Sequence, residues 1–197
     1  MTRASGDGGQ TLGLYIVAVG ALFFLAFAFF AVGQAASVRN TAQTAADAAA
    51  LAAARQTRDG VRDEFLDALK AGDLDTLTEL LAGDGMDGAG AGACGAASTF
   101  AAENRAAVDT CDLVTGPNGA RVSLHTEGTV GRSVVNGTES MHAHADATGV
   151  VEARCTVDGK DGDTVKFACD KGDLSVDPTT DDFDLNLAEF YSVHLSE

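Results

Sequence analysis

The sequence contains no tryptophan, only two prolines and few aromatic residues, which make up 6% of its 197 positions. Aromatic side chains bury the largest areas in protein cores, so this composition predicts a small core. Basic residues are also scarce, since 13 Lys and Arg stand against 29 Asp and Glu for a formal net charge of −16. A surface this acidic repels phosphate backbones, and we expect no nucleic-acid partner.

Several motifs of catalytic and cofactor sites are missing too. The chain has no Gly-x-Ser-x-Gly, no Lys-Ser or Lys-Thr after its glycine-rich segment and no Cys-x-x-Cys. These motifs indicate a serine nucleophile, a phosphate-binding loop and a zinc or redox site. No acid–base pair can be defended from the sequence. We therefore expect a protein that is not an enzyme and that binds no cofactor.

Charge is absent between Asp7 and Arg39, and residues 12–32 form an almost purely apolar run inside that window. A helix rises about 1.5 Å per residue, so about 20 apolar residues cross a membrane. We predict a cytoplasmic N-terminus at residues 1–10 and a transmembrane helix at residues 11–36. The large side chains of its transmembrane core are Leu12, Leu14, Tyr15, Ile16, Val17, Leu22, Phe23, Phe24, Leu25, Phe27, Phe29, Phe30 and Val32.

A cleaved signal peptide is the alternative interpretation of this run. Signal peptides have apolar cores of about 7–15 residues before an Ala-x-Ala-like site. The run here is longer, although residues 34–37 loosely fit a cleavage region. The flanking charges determine orientation weakly, because Arg3 favours an inside N-terminus and Arg39 opposes it. We expect a permanent anchor.

An alanine-rich stretch follows, without glycine or proline until Gly60. Alanine is the best helix former, so the membrane helix is expected to continue through residues 37–59. Small side chains allow neighbouring helices to approach closely. We predict that this face packs against partner helices, although a plain stalk is the alternative. The packing residues are Ala42, Ala45, Ala46, Ala49, Ala50 and Ala53.

All four cysteines lie after the apolar run, at Cys94, Cys111, Cys155 and Cys169. An even number in an exported domain indicates two disulfides, for which three pairings exist. Short local loops favour Cys94–Cys111 and Cys155–Cys169. Disulfides form outside the cytoplasm, so we place the C-terminal domain on the extracytoplasmic side.

The N-terminal quarter resembles a known family. Gly8-Gly9-Gln10, the apolar helix and the alanine-rich residues 43–54 together resemble the tight-adherence (Tad/Flp) pilus-assembly proteins of the TadE/TadG-like group. The resemblance covers about residues 6–58 and implies a type IV pilin-like subunit or assembly factor at the cell surface. It also implies that Gly9 and Gln10 flank a possible prepilin-peptidase site. Tyr15 matches the pilin pattern, but Leu14 stands where those pilins carry Glu, which favours a permanently anchored minor subunit.

The rest of the chain predicts an α+β head. Residues 60–110 read as helical, with Asp73 as a helix N-cap and a glycine-rich linker at 83–95. Residues 111–197 read as an antiparallel β-rich exported domain, in which Pro117-Asn118-Gly119 and Asn136-Gly137 are hairpin turns. The fold class is thus α+β, with a long N-terminal transmembrane and Ala-rich helix, short helices and a small antiparallel sheet. A helix over 98–108 and single strands over 139–147 and 150–157 complete the prediction.

Three groups of polar residues contain side chains that can bind metals. His142 and His144 share one face of a strand, since side chains alternate there, and His125 is expected on a strand nearby; three imidazoles can hold zinc or copper. The oxygen-rich turns at 158–163 and 181–184 can in principle bind calcium. Neither turn matches an EF-hand loop, and solvated surface residues explain all three groups. We expect no metal.

These observations lead to one functional hypothesis with an alternative. The chain is expected to be a membrane-anchored pilin-like or minor pilus-assembly subunit that acts by helix packing. Its partners would be the membrane and other pilus or assembly subunits, met through the N-terminal helix, or further copies of itself. The alternative is a membrane-tethered extracellular binding module whose acidic head captures a ligand or cation.

Overall fold

The computed structural model describes residues 10–86, 90, 92–129 and 140–196. Its longest element is α1, a single helix over Gln10–Gly60 with 51 residues. At about 1.5 Å per residue this helix is about 77 Å long. The structure thus has the long N-terminal helix that the absence of Pro and the abundance of Ala predict.

The described part of the head contains several shorter helices. They are α2 (Arg62–Ala71), α3 (Leu74–Ala82), α4 (Ala93–Glu103) and α5 (Leu187–Phe190). Asp73 caps α3 as predicted, because its carboxylate accepts a hydrogen bond of 3.1 Å from the Thr76 amide. The same bond lowers the pKa of Asp73.

A four-stranded antiparallel sheet forms the larger layer of the head. Its strands are β1 (Ala106–Val114), β2 (Asn118–Thr129), β3 (His142–Ala153) and β7 (Tyr191–Leu195), in that spatial order. The predicted turn at Pro117-Asn118-Gly119 does join two strands, since Val114 pairs with Gly119. The predicted turn at Asn136-Gly137 lies outside the described residues.

A second, three-stranded antiparallel sheet contains β4 (Cys155–Asp161), β5 (Thr164–Cys169) and β6 (Leu174–Val176). The single strand predicted for residues 150–157 is wrong, because the chain changes sheets at Arg154. The Arg154 amide donates to the Phe190 carbonyl and its own carbonyl accepts from the Asp170 amide. These bonds hold the crossover between β3 and β4.

The helix predicted over 98–108 is displaced towards the N-terminus. It begins at Ala93 and ends at Glu103, and β1 begins at Ala106. Arg105 has a left-handed backbone with φ of 56°, which turns the chain from helix into strand. Strand structure therefore precedes Cys111, where the β-rich region was expected to begin.

The head has two cores of different composition. The first lies between α1, α4 and the four-stranded sheet and consists mainly of alanines, with Val122 and Leu124 from β2. The second lies between α2, α3, α5 and the three-stranded sheet. It is aromatic, because Phe65, Phe167, Phe190 and Tyr191 are all almost fully buried there. The α+β class expected from the sequence is confirmed.

Candidate functional site: the N-terminal helix and the surfaces of the head

The apolar half of α1 is uncovered by the rest of the chain. Each of the 13 large side chains that the sequence assigns to the transmembrane core is at least half exposed, from 50% at Leu25 to 77% at Leu14. Within the described residues one helix is long and apolar enough to cross a membrane, and no part of its most apolar window is buried. Exposing so many Phe and Leu side chains to water is unfavourable, so this surface requires an apolar environment.

The alanine face of α1 has a different environment from the one expected. Ala42, Ala45, Ala46, Ala49, Ala50 and Ala53 are fully buried. Their neighbours are not partner helices but the chain's own α4, β2 and β3. The expectation that this face meets other subunits is therefore corrected, because the head already occupies it. Periodic small residues indicate that a helix face is buried without indicating what covers it.

Gly149 permits the closest approach between α1 and the sheet. A Cβ atom at this position would overlap the carbonyl group of Ala50. Further along, the Gln43 side-chain amide donates to the carbonyl oxygen of Asp146 at 3.3 Å. These two contacts fix the helix against β3. A lone glycine inside a strand is the sequence signal for such an approach, and Gly149 was not predicted to have this role.

Both disulfides join the cysteines that the short loops favour. Cys94–Cys111 links α4 to β1 across 17 positions, and Cys155–Cys169 links β4 to β5 across 14. The second pair is directly opposite in the β4–β5 ladder. All four thiols are therefore used in cross-links of the head.

The three predicted histidines do come together, since the rings of His142 and His144 each lie 5.7 Å from that of His125, and Asp109 contacts two of them. Asp109 on β1 lies 2.7 Å from Nδ1 of His125 and 3.4 Å from Nδ1 of His144. His142 Nδ1 lies 2.6 Å from the carbonyl oxygen of Thr126, so its Nδ1 is held by backbone. We call His125, His142, His144 and Asp109 the histidine cluster.

The described residues contain no group of three or more His, Cys, Asp or Glu with the geometry of a metal site. Neither the histidine cluster nor the acidic residues at 158–163 and 181–184 form such a group, and residues 158–161 lie in β4 instead of the predicted turn. One acidic residue of the second turn has a clear structural role, since Asp184 forms a 3.1 Å ion pair with Arg62. Arg62 also donates to the carbonyl oxygen of Leu185, so the turn is held against α2.

An arginine and an aspartate fix the crossover between the sheets. The Arg154 guanidinium donates to both carboxylate oxygens of Asp170, at 2.8 Å and 3.0 Å for the shortest bond to each. A paired guanidinium favours the ionised carboxylate, and it lowers the pKa of Asp170. Nearby, the Tyr191 hydroxyl donates to the Leu80 carbonyl oxygen at 3.0 Å, and burial raises the pKa of that phenol.

The possible processing position Gly9 lies outside the described residues, and α1 begins at the next residue, Gln10. Of the predicted cytoplasmic N-terminus at residues 1–10, only Gln10 is among the described residues. The glycine-rich linker at 83–95 is described only in part. Its last residues are helical, because α4 begins at Ala93.

Comparison with known proteins identifies the segment that contains the apolar and alanine-rich halves of α1. The model of the family described as "Putative Flp pilus-assembly TadE/G-like" matches residues 9–56. No curated protein and no solved structure matches the chain. The match spans about a quarter of the sequence and leaves the head outside it. Residues 9–56 thus match the model of the putative Flp pilus-assembly TadE/G-like family, as their resemblance predicted.

Proposed function

We propose that this protein is a membrane-anchored, pilin-like minor subunit of a Tad/Flp pilus system, with its head on the extracytoplasmic side. The observation that carries the proposal is the bare apolar half of α1, which lies inside the family-matched residues 9–56. Two disulfides in the head support export, because such bonds persist outside the reducing cytoplasm.

The surface of α1 left for partner subunits follows from what the head covers. The head buries the alanine face over residues 42–54, whereas residues 12–32 are bare around the helix. Contacts with other subunits are therefore made within the membrane, through side-chain packing among apolar helices. The head contributes by fixing the direction in which α1 leaves the bilayer. This action is assembly by packing and includes no catalytic step.

A segment exchange tests the proposal. Each of residues 12–32 is replaced by leucine in the full chain. The gene for this variant is then introduced into a strain from which the native gene has been deleted. The exchange keeps an anchor of the same length, and it leaves both disulfides and the alanine core unchanged. We expect the variant to reach the membrane with oxidised thiols and to fail to restore surface pili, as counted by electron microscopy.

The control is Phe24→Leu, which keeps residue 24 apolar and should restore pili. Normal piliation in the deletion strain would overturn the pilus role. Full rescue by the leucine anchor would overturn helix packing and favour a tethered binding module, because such a module needs only an anchor.

A further inference from the structure

The end of the head that carries the histidine cluster lies level with the end of the apolar run of α1. Two contacts define the relative direction of α1 and β3. Gln43 bonds to Asp146, and seven residues later Ala50 lies against Gly149, three residues further along β3. Seven helical residues and three strand residues both rise about 10 Å. The helix and the strand therefore run parallel and side by side.

The same geometry extends towards the membrane. From Asp146 back to His142 the strand descends four residues, or about 13 Å. Nine residues of α1 cover that distance, which places His142 level with Gln34. The apolar run ends at Val32, only two residues earlier. Among the described residues, which exclude 130–139, no stalk therefore separates this end of the head from the bilayer that α1 would span.

Burial along α1 agrees with this placement. Val32 is 68% exposed, and on the side that includes Gln34 and Val38 the first fully buried residue is Ala42. Complete burial of α1 by the head therefore begins ten residues after the apolar run ends.

The surface at this end differs from the rest of the head. It contains the imidazoles of His125, His142 and His144, and Met141, which is 55% exposed. Imidazole has an apolar body and a polar tip, as side chains at membrane interfaces do. Charged groups near this end are Asp109, Glu127 and Asp146 on the strands, and Glu103 and Arg105 directly before β1. The acidic turn at 181–184 is held by Arg62, beyond the other end of α1.

We propose that this end of the head rests on the phospholipid headgroups of the bilayer that α1 spans; this rests on the proposed membrane anchoring. The contact surface consists of Met141 and the histidine cluster. Its partner is the headgroup layer, which accepts hydrogen bonds from imidazole and admits the exposed thioether. The head is thereby held at a fixed height and orientation above the membrane.

The absence of natural tryptophan allows a direct test with single-tryptophan variants of the full chain. Met141→Trp reports on the proposed contact, Phe23→Trp on insertion of α1, and His194→Trp serves as a matched control. His194 is an exposed strand histidine opposite Val150, eight residues along β3 from His142 and so about 26 Å higher. Each variant is reconstituted in phospholipid nanodiscs at less than one copy per disc. Fluorescence is quenched by nitroxides on the headgroup or at mid-chain.

We expect the headgroup nitroxide to lower the emission of Met141→Trp at least twofold more than that of His194→Trp. The mid-chain nitroxide should quench Phe23→Trp most strongly. Equal, weak headgroup quenching of Met141→Trp and His194→Trp, with Phe23→Trp quenched, would overturn the headgroup contact and leave the anchor intact. An unquenched Phe23→Trp would overturn the anchor itself. In a second series the discs are loaded with more copies of Met141→Trp. If protection of its tryptophan from the quencher increases with the number of copies per disc, the partner is a second copy and the proposal is overturned.

Discussion

At the scale of single residues, the close contact between α1 and β3 depends on a hydrogen atom where other residues have a side chain. Gly149 allows β3 to lie directly against the backbone of α1 at Ala50. Neighbouring positions on the same face of α1 are alanines, and Ala46, Ala49 and Ala53 are fully buried. Such a core gains stability from close packing, since each small side chain buries little area. It is therefore sensitive to any added volume.

Gly149→Ala tests this sensitivity. The new methyl group would overlap the Ala50 carbonyl, and overpacking of this kind costs about 1–3 kcal/mol. We expect a lower free energy of unfolding in denaturant titrations of the full chain in detergent. The matched control is Gly33→Ala, where a Cβ atom would meet nothing within 4 Å. Equal stability of Gly149→Ala and the native protein would contradict the close contact.

Residue-level patterns in the sequence predicted part of this packing. The spacing of the alanines identified the buried face of α1 correctly. Its partner could not be predicted, because α4, β2 and β3 are distant in sequence and periodicity contains no information on what covers a face. The histidine cluster shows the same limit. Alternation placed His142 and His144 on one face. The contacts of Asp109 with His125 and His144 depend on β-pairing that the sequence does not specify.

At the scale of elements, α1 was the most predictable part and the sheet connections the least. The long helix follows from an apolar run joined to an alanine-rich run without proline. The change of sheet at Arg154 interrupts an alternating apolar stretch that reads as one strand. It depends on bonds from Arg154 to Phe190 and Asp170, which lie 36 and 16 positions away along the chain. Long-range bonds of this kind leave no local signal.

The ion pair at this crossover gives the head an acid-sensitive connection. Arg154 lowers the pKa of Asp170, so the folded protein holds the ionised form more strongly than the unfolded chain does. The stabilisation is complete above the unfolded pKa of about 4 and is lost as pH falls through the lower folded value. We expect Asp170→Asn to melt at a lower temperature than the native protein at neutral pH.

On acidification the two melting temperatures should converge, because protonation removes the pair in the native protein. Asp182→Asn, at an exposed aspartate, is the control and should keep the native acid response. Thermal unfolding, followed by circular dichroism between about pH 7 and pH 3, measures the melting temperatures of the native protein and of both variants. A constant difference between Asp170→Asn and the native protein over this range would contradict the role of the pair.

At the scale of the whole molecule, one helix belongs to two environments. Its first half has large bare apolar side chains, and its second half is the centre of the alanine core. Because α1 is continuous over Gln10–Gly60, the head cannot turn independently of the membrane segment without breaking helical hydrogen bonds. The height and direction of the head relative to residues 12–32 are thus set by α1, as the proposed assembly through this segment requires.

The charge of the molecule is divided in the same way. Residues 1–39 contain two basic and one acidic side chain, so the remaining residues carry a net charge of −17. Strong acidity keeps a head soluble and repels other acidic surfaces. It therefore agrees with the proposal that subunits meet through the apolar segment and not through their heads. This division was readable from the sequence, since it needs only the positions of the charges.

Permanent anchoring by α1 is tested most directly by the mass and the location of the native protein in the cell. Membranes are washed with alkaline carbonate, and the protein is analysed by intact mass spectrometry without reductant. We predict that it stays in the membrane pellet, retains residues 12–32 and contains two disulfides. A freely soluble protein whose mass corresponds to a chain that starts after Ala36 would contradict permanent anchoring. The apolar part of α1 would then have been a cleaved leader instead of an anchor.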